Sequence, residues 1–140
     1  MKLGVMAALF AGRGLEETLA YCAESGLDAI EIPVGSYPGA PFFDPAKVLG
    51  SKKEQDRIKS LVRDHGLEIS GLAVHGNPVH PVARAAKADH AAFERAVKLA
   101  PKLGTDVVIT FSGCPGGFAV GYPRTAAPPR TSRAAPSTRP

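Results

Sequence analysis

Residues 23–32 read A-E-S-G-L-D-A-I-E-I, and this stretch decides the fold. A helical segment runs into Gly26, an acid (Asp28) follows two residues later, and an apolar run begins at once. Glycine ends a helix in the left-handed conformation without the steric cost a Cβ would bring. An apolar run straight after such a stop reads as a buried strand. The same phrase returns as R-D-H-G-L-E-I-S-G-L at 63–72 and as P-K-L-G-T-D-V-V-I-T at 101–110. Gly66 and Gly104 hold the glycine place, and Glu68 and Asp106 the acidic one. The three glycines stand 40 and 38 positions apart. A fixed period of this kind marks a repeated supersecondary unit. Helix, tight turn and buried strand is the repeating unit of parallel α/β folds.

Working outward, strands are expected at residues 3–9, 29–34, 68–74 and 107–111, with helices at 15–25, 53–65 and 87–103. Residues 1–12 carry one lysine and an apolar run, as a signal peptide does, but Arg13 and an amphipathic helix follow at once, so a first strand is preferred. Leu15, Leu19, Cys22 and Ala23 share one face of the first helix. Ile58, Leu61, Val62 and His65 form the stripe of the second, and Phe93, Ala96, Val97 and Ala100 that of the third. Pro101 lacks the N–H a helix interior needs, which predicts a kink or an early helix end. Residues 35–49 read as a long loop with three prolines and three aromatics, and loops of that length are usually functional or disordered. The β-branched run at 107–111 predicts a strand buried on both faces.

Composition narrows the function. The chain has 140 residues, 44% of them apolar, enough for one core. No run approaches a membrane span. Two cysteines, Cys22 and Cys114, make no disulfide framework and point to a cytoplasmic protein with free thiols. The formal charge of +4 comes from four arginines at positions 124, 130, 133 and 139. Residues 1–123 are neutral, with 13 basic and 13 acidic groups. Even if all four arginines met phosphates, the salt slope on duplex DNA would be only about −3.6. Specific nucleic-acid binding is not expected.

Residues 124–140 use only Arg, Thr, Ala, Pro and Ser. Without Val, Ile, Leu or an aromatic, such a segment cannot bury enough apolar surface to offset its ordering entropy, and residues 118–140 are expected to be disordered. The abrupt change resembles coding DNA read in a wrong frame.

Ligands of parallel α/β folds bind at the carboxyl ends of the strands. The turn Ala11-Gly12-Arg13-Gly14 lacks the third glycine of a dinucleotide fingerprint, since Glu17 stands there. Glu31 interrupts Ala29-Ile30-Glu31-Ile32-Pro33-Val34 on the side opposite Ile30 and Ile32. That places it on a barrel's inner face, or on a plain solvent-facing edge. His75-Gly76-Asn77-Pro78-Val79-His80-Pro81 brings two imidazoles and a carboxamide to the end of the third strand. Imidazoles serve as metal ligands, bases or donors to sugar hydroxyls and phosphates, though this spacing is no specific metal motif. His80 is equally suited to packing against or capping the third helix. Cys114, after the fourth strand, reads as a small packed thiol rather than a nucleophile, since no triad is evident.

The runs A-I-E-I-P-V-G at 29–35, H-G-N-P-V-H-P at 75–81 and T-F-S-G-C-P-G at 110–116 together resemble the sugar phosphate isomerases/epimerases. These belong to the xylose-isomerase-like superfamily of TIM barrels, which also holds endonuclease-IV-type enzymes. The resemblance covers residues 1–117. It implies an eight-stranded barrel with a divalent metal (Mn, Mg, Co or Zn), which polarises a sugar's oxygens while acids and bases move a proton. Its metal ligands come mainly from strands 5 to 8, which this chain lacks. The resemblance therefore carries over only Glu31, His75, Asn77 and His80, as groups facing the sugar or sugar phosphate.

The fold class expected is a partial (β/α)8 barrel of four strands and three helices with a disordered tail. The chain is expected to be inactive alone and to bind no metal tightly. Open sheet edges at strands 1 and 4 leave room for self-association. Two rivals are a flavodoxin-like binding module and an endonuclease-IV-like phosphodiesterase fragment.

Overall fold

A computed structural model describes residues 1–115. The expectations for the tail at 118–140, including the frame reading, lie outside the described residues.

Ile30 and Ile32 are fully buried while Glu31 between them is half-buried, the two-residue alternation of a strand under helices on one face. This strand, β2 (Ala29–Pro33), lies between β1 (Gly4–Met6) and β3 (Glu68–Ala73), and β4 (Val108–Ile109) follows on the far side of β3. All three pairings are parallel, in the order β1-β2-β3-β4. The crossovers are α1 (Leu15–Glu24), then α2 (Pro45–Leu49) with α3 (Lys52–Asp64), then α4 (Ala83–Leu103). Strands that neighbour each other in chain order are how a barrel is laid down. A flavodoxin-like sheet runs 2-1-3-4-5 instead, which removes that rival.

The repeat behaves as its residues dictate. Gly26, Gly66 and Gly104 all take left-handed φ, at 73°, 73° and 87°. Two of the three acids tie down the start of the chain. Asp28 Oδ2 accepts from the Leu3 N–H at 2.7 Å, and Glu68 pairs with the Lys2 ammonium. One apolar cluster joins Leu19, Ile30, Ile32, Ile58, Leu72, Val74 and Leu99, so helices and sheet share a core.

Several boundaries differ from expectation. β1 stops at Met6, and Ala7–Phe10 forms a 3-10 turn, because Ala-Ala-Leu follows helix preference once pairing with β2 ends at Met6↔Glu31. The long loop contains α2, started by Asp44, whose side chain accepts from the Ala46 N–H at 2.9 Å with Pro45 at the first position. The described residues therefore hold four α-helices, not three. α4 starts at Ala83, four residues early, because Ala83-Arg84-Ala85-Ala86 is a strong helix former. It runs through Pro101 to Leu103, although the proline offers no N–H to the Val97 carbonyl, and Gly104 ends it in the left-handed conformation. Its buried stripe is Ala92, Ala96, Leu99, Ala100 and Leu103, whereas Val97 is 45% exposed. His65 is half-buried at the end of α3, its Nδ1 2.8 Å from the Leu61 carbonyl.

β4 is two residues long and half-buried, not buried on both faces. Val107 and Phe111 beside it remain 44% and 55% exposed, so the sheet face away from the helices is uncovered there. Gly71 on β3 makes room for this face. A Cβ there would stand 3.2 Å from both Ile109 Cδ1 and Val107 Cγ1.

Candidate functional site

A cleft of about 850 Å³ opens at the carboxyl ends of β3 and β4. Tyr37, His75, Gly76, Asn77, His80, Asp89 and the run 110–114 line it. The loops after β2, β3 and β4 therefore supply most of its wall, and α4 supplies Asp89.

His75 leaves the end of β3. Its backbone exchanges hydrogen bonds of 3.3 Å with Tyr37 in both directions, which joins the loops after β2 and β3. The imidazole stacks on Phe111 with centroids 4.5 Å apart and planes 16° from parallel. Stacking holds the ring, and its Nδ1 is buried with no hydrogen-bond partner among the described residues. Buried polar atoms are nearly always paired, so an unpaired one asks for a ligand atom or water.

Asn77 uses its side chain as a clasp. Nδ2 donates to the Cys114 carbonyl at 2.7 Å, and Oδ1 accepts from the Cys114 N–H at 2.9 Å. Gly113 permits the approach: it has φ 89°, and a Cβ there would stand 2.7 Å from Asn77 Oδ1. His80 donates its backbone N–H to the Asn77 carbonyl at 3.1 Å, and its Nδ1 accepts from the Val82 N–H at 3.0 Å. An accepting Nδ1 leaves the neutral ring's proton on Nε2. His80 thus braces the entry to α4 and also lines the cleft.

Glu31 is not brought there. It faces away from the helices as expected, but its register partner on β3 is Gly71. Gly71 precedes His75 by four residues, about 13 Å along an extended strand. Cys114 lines the cleft and is held by its backbone.

Asp89 was not expected. Its oxygens accept from Ser36 Oγ and from the Asn77 N–H, each at 2.8 Å. A signal was present, since Asp89 falls three and seven residues before Ala92 and Ala96 on the buried stripe of α4. An acid in that line has a partner to meet. Thr110, whose Oγ1 donates to the Val74 carbonyl at 2.9 Å, was also missed, because a strand-end threonine reads as ordinary strand.

Among the described residues no group of three or more His, Cys, Asp or Glu is placed to hold a metal ion. Both Asp89 oxygens and His80 Nδ1 are already engaged. A divalent metal does not fit this set.

A model of the Xylose isomerase-like TIM barrel family matches residues 19–134. The chain belongs to that family. Among relatives of the xylose isomerase-like chain is YfiH, an uncharacterized protein of Bacillus subtilis (strain 168), 26% identical over 117 residues. That match covers 84% of this chain and 37% of YfiH. A crystal structure of D-psicose 3-epimerase in the presence of D-fructose superposes with a TM-score of 0.54 at 19% identity, over 79% of this chain and 37% of that one. At that identity the likeness concerns the fold. The xylose isomerase-like chain thus spans 37% of the length of each.

Proposed function

We propose that residues 1–117 form the first half of a xylose isomerase-like barrel and supply one wall of a sugar or sugar phosphate isomerase/epimerase site. The observation that carries this reading is the His75 ring, stacked on Phe111 at the mouth of the strands with Nδ1 buried and unpaired. Barrel ligands bind at that end, and a cleft with aromatic walls and a few convergent polar groups suits a small polar ring. The His75 ring and His80 Nε2–H meet sugar hydroxyls and Asn77 holds the wall, while Glu31 lines the same sheet face about 13 Å deeper, below the cleft.

The divalent metal implied by the resemblance has no seat on the described residues, so no step is assigned to it. The reading is of a chain that binds no such ion tightly and turns over no sugar alone. No helix among the described residues is long and apolar enough to cross a membrane. A cytoplasmic setting, absence of specific nucleic-acid partners, and self-association through the edge strands β1 and β4 belong to the same proposal.

The test is incubation with D-fructose and each of Mn²⁺, Mg²⁺, Co²⁺ and Zn²⁺, with sugar analysis of the products. No epimer or aldose above the protein-free control is expected. Catalysed conversion with any of the four contradicts the proposed inactivity.

A further inference from the structure

The Asp89 carboxylate stands where three loops meet. Oδ1 takes the Ser36 hydroxyl from the loop after β2, and Oδ2 takes the Asn77 N–H from the loop after β3. Hydrogen bonds to an ionised carboxylate are stronger than neutral ones. Ser36 has φ 53°, a conformation that a residue with a Cβ keeps only where its surroundings hold it. Asn77 passes the restraint on through its paired bonds to the Cys114 backbone, in the loop after β4. Gly76 lies directly beneath. A Cβ there would stand 2.8 Å from both Asp89 Cβ and Ser36 Oγ, so the absent side chain lets α4 reach the loop.

We propose that Asp89 is a positioning residue, which locks the loops after β2 and β3, and through Asn77 the loop after β4, into one wall that sets where His75 and His80 meet a ligand. The ligand part rests on the function proposed above; the lock does not. Removing the carboxylate strips the Asn77 N–H and the Ser36 hydroxyl of their acceptor at once. Tyr37, whose backbone pairs with His75, adjoins Ser36 and moves with it.

The experiment is amide hydrogen exchange by NMR on the wild type, Asp89→Ala and Asp89→Asn. The reporter is the Cys114 N–H, which Asp89 does not touch. In Asp89→Ala its exchange is expected to quicken roughly tenfold while the core amides of β2 keep their rates. Asn at 89 can still accept from the Asn77 N–H and can donate to Ser36 Oγ, so Cys114 stays within about threefold of the wild type. Equal Cys114 rates in wild type and Asp89→Ala overturn the proposal, as does an Asp89→Asn rate matching that of Asp89→Ala. Should Asp89→Ala fail to fold, Ser36→Ala removes one donor alone and is expected to quicken Cys114 about threefold; an unchanged rate overturns the lock. A D-fructose titration of the wild type separates the two readings. Absence of shifts removes the sugar and leaves the lock standing, whereas binding without an exchange difference removes the lock alone.

Discussion

At the residue scale, the wall of the cleft depends on side chains that are missing as much as on those present. Gly76 and Gly113 each face an atom 2.8 Å or less from where a Cβ would be. Gly76→Ala is expected to cost about 1–3 kcal/mol, the range for forcing atoms into a filled space, read by urea denaturation. Stability within about 0.5 kcal/mol of wild type contradicts the close approach. Cys22 gives a second expectation. Burial pushes its thiol up from the ordinary range. The unfolded chain therefore ionises first as pH rises, so this group's contribution is complete below the unfolded thiol's value, about 8.5, and is lost above it. Denaturation at rising pH is expected to show a smaller alkaline loss in Cys22→Ala than in wild type, and parallel curves contradict it. What was legible at this scale was the cluster His75, Asn77 and His80, because strand-end imidazoles stand out in a sequence. Asp89 and Ser36 were not, because a short polar side chain on a helix or loop shows its purpose only once its partner is placed.

At the element scale, the glycine-acid phrase located three of the four strands and the end of each long helix. Where it was silent, local preference against pairing decided. Pairing gave out after Met6, and Ala7–Phe10 turned helical. Asp44-Pro45 started a short helix inside an apparent loop. Val97 and Leu99 exchanged places because the buried stripe runs through Ala92, Ala96, Leu99 and Leu103 and not through Phe93 and Val97, a rotation of the face that Ala96 and Ala100, common to both readings, could not reveal. Pro101 remains the costly residue of α4. It lacks the N–H that would meet the Val97 carbonyl, yet the helix continues past it. Pro101→Ala is therefore expected to raise stability by about 1–3 kcal/mol in urea denaturation, and an unchanged or lower midpoint contradicts it.

At the scale of the whole molecule, four parallel strands in chain order place every described strand end on one rim. The family match and the sheet order agree on the barrel architecture. The period alone read as parallel α/β, which open doubly wound sheets share; the strand order and the family match single out the barrel. Glu31 shows where reading by face falls short: alternation gave its side of the sheet but not its depth. The rim above the uncovered face beside Val107 and Phe111 carries the cleft at the ends of β3 and β4 that is proposed to receive a sugar. The direct measurement is a ¹H–¹⁵N NMR titration with D-fructose on wild type and His75→Ala. Saturable shifts confined to residues 36–37, 75–80 and 110–114, with a Kd of about 1 mM or weaker, are expected, as is their loss in His75→Ala. Shifts centred elsewhere, or none at concentrations well above that, contradict it.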